Sequence, residues 1–342
     1  MRKITLIFVL LLSFSQTNSA QEKTSLPEID RIRIAEAFRI GEKIGDKVWK
    51  GWSSAPWALL LVTPKDEFLI RHLKPSSDFR LIGYDSLLKS DVYTRPRKLS
   101  PKLLATFPAA GDTTPVIVVG QAENTDAKTS TPWVFIVLHE HFHQLQYSQP
   151  GYYADVEKLN LSGGDQTGMW MLNYQFPYSQ KEVGDKFGSL SKLLVETYNN
   201  KNSKNKSQRS EKLNEYLSER EKFELILKTD DHRYLSFQLW QEGIARYVQY
   251  KTAQTAAKKY KPSKEFRALK DFTPFEKAAD NLLGLTFNEL KEVNLAKSQR
   301  IVFYPFGAIE GLLLDKVNPN WKKKYLTDKF SLDGYFRNEV KE

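Results

Sequence analysis

The sequence predicts an α+β fold. A small mixed β-sheet forms an N-terminal part, packed on a mainly helical C-terminal part, with a histidine-bearing helix at the join. Three observations predict it. Between Trp57 and Gly120, short runs of Leu, Ile, Val and Phe are broken by Pro, Gly and Asp, the texture of strands joined by turns. Beyond about residue 130, apolar residues recur at helical spacing. The two textures meet at Trp133–Tyr147, apolar in its first half and holding His139, His141 and His143 in its second.

In chain order, Met1-Arg2-Lys3, the apolar run Ile4–Phe14 and the small residues Asn18-Ser19-Ala20 have the pattern of a cleavable secretory leader over residues 1–20. The run is too short to span a bilayer, and no cysteine follows it to carry a lipid. The expectation is a mature chain starting near Gln21 that works in the periplasm or the medium. Residues 21–128 are then the β-rich part and 129–342 the helical part. Pro27 opens an amphipathic helix over 27–48, with Ile34, Ala37, Phe38, Ile44 and Val48 on one face. Strands are expected at Trp57–Val62, Glu67–Ile70, Arg80–Ile82 and Pro115–Val119. After the helix at 133–147 comes a loop rich in Gly and aromatics, 151–178, and then two helices flanking the polar run Asn199–Gln208. Asp230 reads as the N-cap of a helix running through Trp240 to Tyr250, and further helices complete the chain. No internal repeat is present.

Composition narrows the chemistry. The 342 residues contain no cysteine, which removes disulfides, thiolate metal sites and cysteine nucleophiles. The net charge of +10 comes from scattered lysines and one polar run. It favours solubility and acidic surfaces. No nucleic-acid motif accompanies it, and no second stretch is long enough to cross a membrane.

The chemistry concentrates in His139-Glu140-His141-Phe142-His143. Residues four apart stack on one helical face, so the imidazoles of His139 and His143 point at the same spot. Glu140 reaches the edge of that spot, within range of a proton on water bound there. This is the HExxH arrangement, in which two histidines hold zinc and the glutamate is the general base. His141, two residues from His139, faces the other way and is expected to pack in the core. Catalytic zinc takes three protein ligands. Glu242 is the best third candidate, because a carboxylate among Leu235, Phe237, Leu239, Ile244 and Val248 is costly to bury unless bound or paired. Small Gly243 and Ala245 allow another helix to approach. A pair with Arg246 one turn on is the competing role for Glu242. His232, Glu196, Glu221 and Glu310 are further candidates in less telling surroundings.

A helical HExxH with a distant glutamate on a second helix resembles the gluzincin metallopeptidases, whose members include thermolysin and the aminopeptidase N family. Tyr304-Pro-Phe-Gly307-Ala308 is similar to the Tyr-x-x-Gly-Ala segment of the latter. By that resemblance Tyr304 stabilises the oxyanion, with Arg246 or Tyr247 as helpers; packing as a core aromatic is its alternative. Gly120-Gln121-Ala122-Glu123-Asn124 resembles the Gly-x-Met-Glu-Asn stretch that binds substrate backbone and a free amino terminus. This implies substrate-binding roles for Gly120 and Glu123, although Ala122 departs from the pattern. The strand before the motif helix is expected to offer an edge to an extended peptide. Glu242 follows His143 by 99 residues, farther than in the better-known gluzincins, which puts the chain on an outlying branch. The expected function is a secreted zinc metallopeptidase acting on a peptide or protein substrate, the loop with Trp170 and Tyr174 covering the cleft. A zinc hydrolase of another bond and a silent peptide-binding protein on the same scaffold remain open.

Overall fold

Leu59–Val62 (β1) and Pro115–Gly120 (β6) are wholly buried runs, and they pair in parallel at the middle of a six-stranded sheet. Strands covered on both faces read as continuous apolar runs, which is why these two were legible in the sequence. Asp66–Ile70 (β2), Arg80–Asp85 (β3), Ser90–Pro96 (β4) and Leu104–Pro108 (β5) complete the order β3-β4-β2-β1-β6-β5, all antiparallel to their neighbours. Alternate residues face opposite sides. Leu59, Leu61, Ile117 and Val119 join the main core with the helices, while Leu60, Val62, Val116 and Val118 form a smaller core with Phe79 and Ala110. The computed structural model describes residues 25–200 and 205–337, so the expected leader and residues 201–204 of the polar run lie outside the described residues.

Several expectations shift at their edges. The first strand begins at Leu59, because Trp57 turns its ring onto His141 instead. β4 and β5 were not anticipated: their burial is broken and prolines bound them, which blurs the period of two. β6 is not an edge strand. It lies between β1 and β5, and β5 is the edge on that side.

Glu28–Val48 (α1) follows Pro27 as expected and packs on the motif helix, Ser130–Tyr147 (α2). α2 starts three residues earlier than expected because Pro132 sits in its first turn, where a missing N–H costs nothing. Its N-terminus is held from outside the helix: Asp271 accepts from the Ser130 N–H at 2.8 Å and from the Ser130 hydroxyl at 2.7 Å. A carboxylate there complements the helix dipole. Lys181–Asn200 (α3) and Lys206–Leu225 (α4) flank the polar run. Thr229–Gln238 (α5) continues through a π-helical turn, Leu239–Gly243, into Ile244–Lys259 (α6). Asp230 is not its N-cap. Lys228 holds that position, and Asp230, already inside the first turn, pairs with Arg233 at 3.0 Å. Phe275–Lys291 (α7) and Phe303–Val317 (α8) close the helical part against α6. Among the described residues, no helix is long and apolar enough to cross a membrane.

Candidate metal centre

Three donor atoms converge. His139 Nε2 and His143 Nε2 are 3.2 Å apart, and Glu242 Oε2 lies 3.6 Å from the first and 3.2 Å from the second. Ligands about 2.0–2.2 Å from a tetrahedral zinc are separated by roughly 3.3–3.5 Å. The spacing and the His₂Glu donor set therefore fit a small divalent cation. Glu242 does not pair with Arg246, whose guanidinium turns to Glu289 at 3.6 Å. The Glu242 side chain keeps 16% of its surface exposed, so the centre opens to solvent on the carboxylate side.

Local structure explains the convergence. The π turn adds a residue to the repeat at Leu239–Gly243, and such turns recur at functional sites because they re-aim side chains. Here Glu242 faces α2 although its neighbours Trp240 and Gln241 are core. The turn is tied to α2 by Gln146, whose amide donates to the Gln241 carbonyl at 3.1 Å and to the Tyr325 hydroxyl at 2.7 Å. The Gln146 Oε1 lies 2.6 Å from His143 Nδ1 and accepts from Gln241 Nε2 at 3.0 Å. With Nδ1–H donating to Gln146, the His143 Nε2 lone pair is left for a metal, the outer-shell support such ligands need. From the other side, Gly243 meets Gly307 of α8 so closely that a Cβ on either would lie 2.6–2.8 Å from the other's Cα. This contact sets the approach of the Tyr304 helix to the Glu242 turn.

The electrostatics follow from this packing. Burial alone would lower the His143 pKa, but Glu242 and more weakly Glu140 push it up to about 9. Against its own burial, Glu242 is held well below the usual carboxylate range by His143 and His139. Glu140 is fixed by Thr106 on β5, whose hydroxyl donates to Glu140 Oε2 at 2.8 Å. Tyr304 stacks parallel to His139 with ring centroids 6.1 Å apart. Burial first, then the Glu242 carboxylate, raises its pKa well above 10, so its proton stays on. Arg300 Nη1 donates to the Tyr304 hydroxyl at 2.8 Å. Tyr147 stacks beside His143 with centroids 6.0 Å apart.

Most of the remaining sequence candidates lie elsewhere. His141 is wholly buried, stacked on Trp57 at 3.4 Å and bonded to Gln144 at 3.0 Å; burial pushes its pKa down to about 3. Glu123 pairs with Arg33 at 2.8 Å in the network that holds the far end of α2, about 13 Å along the helix from His139. Gly120 donates its N–H to the Leu103 carbonyl at 2.8 Å and accepts from Trp133 Nε1 at 2.7 Å, and a Cβ there would strike the Pro101 carbonyl. Tyr247 donates to Asp315 at 2.8 Å, away from the triad, and Arg246 lies against α7, with Tyr304 within electrostatic reach of its guanidinium. Trp170 and Tyr174 are packed on α5, against Phe237 and Tyr234, rather than held over the centre. Gln146, Gln241, Thr106, Arg300 and Tyr147 were missed. Gln146 alone carried a sequence signal, a polar residue one turn beyond His143 on the same face.

A second cluster, Glu224, His232 and Asp333, also has metal-like spacing. It borders a cleft of about 350 Å³ that does not include the triad. Arg220 already supplies its cation: the guanidinium bonds Glu224, lies 2.6 Å from Asp333 and donates to Glu310 at 2.7 Å. Both His232 and Glu310 belong to this network, not to the triad. No protein-family model matches the chain, and no curated protein or solved structure matches it significantly.

Proposed function

We propose that this chain is a secreted zinc metallopeptidase of gluzincin type, acting on peptide bonds at the His139–His143–Glu242 centre. The observation that carries the reading is the convergence of two imidazole nitrogens and a carboxylate oxygen within 3.2–3.6 Å, beside a carboxylate that is not one of them. A zinc ion held there would supply a Lewis acid that acidifies water and polarises a carbonyl.

The chain's own residues do the rest. Glu140, oriented by Thr106, accepts the proton of the attacking water as the C–O bond forms. It then passes that proton to the amine nitrogen as the C–N bond breaks. Tyr304 keeps its hydroxyl proton and donates it as a hydrogen bond to the developing oxyanion. Arg300, donating into the same hydroxyl oxygen, makes it a better donor. β5 is the sheet edge beside the motif helix, and an extended substrate can add to it by backbone hydrogen bonds.

The test is a digest of a diverse peptide library by zinc-replete protein, read by mass spectrometry. The expected result is cleavage that a chelator abolishes and zinc restores. Glu140→Gln should retain zinc and lose the cleavage. A zinc-replete protein that cuts no peptide contradicts the reading and leaves a hydrolase of another bond, or a silent binding protein, in its place.

A further inference from the structure

Arg300 has more donors than the fold uses. A guanidinium carries five N–H groups, and among the described residues it makes one hydrogen bond, Nη1 to Tyr304. No acidic partner forms an ion pair with it among the described residues. Glu242, the carboxylate that acts on it, is already bracketed by two imidazoles. Contrast Arg33, Arg95 and Arg220, each buried against two or more carboxylates. Arg300 is only partly buried, and none of its remaining N–H groups is shut away from water, so they stand open to a ligand from outside.

The backbone is also specialised at this point. Gln299 holds φ 47° and ψ −134°, a region that non-glycine residues rarely adopt, and it launches the turn Gln299–Val302 that aims Arg300 at Tyr304. Strain of this kind persists where the fold over-determines a position. The guanidinium also lies 5.7 Å from the centroid of the Tyr304 ring.

From these observations we infer that Arg300 binds a carboxylate of the substrate, one to two residues from the scissile bond. The inference rests on the metallopeptidase reading for the position of that bond. With Nη1 on Tyr304, the opposite edge of the guanidinium presents paired N–H donors, the geometry that suits a carboxylate. A carboxylate held there lies roughly 5–7 Å from the Tyr304 hydroxyl, or one to two residues of extended chain at about 3.3–3.6 Å each. Glu140 and Glu242 balance a bound divalent cation, so Arg300 leaves the pocket with a net positive charge for an anionic substrate. The carboxylate is either a free C-terminus or an Asp or Glu side chain.

The experiment uses calorimetric titration of zinc-loaded Glu140→Gln protein, in which turnover is blocked. The probes are N-acetyl-Ala-Ala-Phe and its C-terminal amide, then N-acetyl-Ala-Asp-Ala-amide and its Asn counterpart. A charge-assisted hydrogen bond at Arg300 should make one acid bind about 10-fold or more tightly than its neutral partner. The acid that shows the preference identifies the source of the carboxylate. Adding Arg300→Gln should reduce the preference to less than about 2-fold, and Arg300→Lys should keep part of it, with zinc content and melting temperature unchanged in both. Equal binding of acids and amides overturns the inference, as does a preference that survives Arg300→Gln. Absence of binding by all four peptides overturns it as well. The library digest and zinc content judge the metallopeptidase reading separately, so the two fail in different assays.

Discussion

Among the described residues, two places gather imidazole and carboxylate groups at metal-like spacing, and they resolve their charge in opposite ways. At Glu224–His232–Asp333, Arg220 is built into the cluster and Glu310 lies behind it, so the fold itself provides the cation. At His139–His143–Glu242 the three donors face one another with no lysine or arginine among them. The first is a closed ion-pair network that joins α4, α5 and the short helix Asp333–Arg337. The second brings two imidazoles and a carboxylate to one point, and its charge is balanced only among those three groups themselves. Spacing alone does not distinguish a metal site from a salt-bridge network; the two clusters differ in whether a Lys or Arg occupies them.

The comparison sharpens into predictions of decreasing size. Glu140→Gln should lower peptide hydrolysis by about 10²–10⁴-fold in steady-state assays, the range of a lost general base, with melting temperature and zinc content preserved. Arg220→Met removes the internal cation and leaves Glu310, Glu224 and Asp333 facing one another. Urea denaturation should register a loss of about 3–5 kcal/mol, while the folded fraction retains its zinc. Should Arg220→Met instead leave stability unchanged, the closed-network account of that cluster is wrong. Gly307→Ala forces a methyl group against Gly243 and the Leu239 carbonyl. It should cost about 1–3 kcal/mol and lower kcat more than it lowers zinc affinity, because it separates Tyr304 from the Glu242 turn.

The smallest effect is one of pH. The Glu224 carboxylate beside His232 raises its pKa, with burial opposing and Asp333 adding to the rise. A group whose folded pKa is raised stabilises the protein fully below its unfolded value, about 6.5, and loses that contribution as pH climbs through the folded value. His232→Gln should therefore be less stable than the parent below about pH 6, the gap closing toward alkaline pH. A gap that widens with pH contradicts the assignment of a charged His232 in this network.

Much of the fold was legible because its signals were local. Continuous apolar runs marked β1 and β6, and helical spacing marked α1 and α2. The motif placed His139, Glu140 and His143 on one face, with His141 turned into the core. Glu242 stood out as a carboxylate in an apolar helix. What escaped the sequence depends on tertiary contacts. The π turn that aims Glu242 has no composition signal, and the Gly243–Gly307 contact pairs positions in two distant segments. Gly120 and Glu123 matched a motif locally, yet Trp133 and Arg33 already engage them. Arg300 was overlooked because its meaning lies in the ion pair it lacks, visible only once every neighbour has a position.

The central claim is that the triad, and not the Arg220 cluster, holds the metal. The most direct measurement is zinc stoichiometry after equilibrium dialysis, read by mass spectrometry, for the parent protein, Glu242→Ala and Glu224→Ala. The account predicts about one equivalent for the parent and for Glu224→Ala, and a loss of binding for Glu242→Ala. Zinc retained by Glu242→Ala and lost by Glu224→Ala would contradict it.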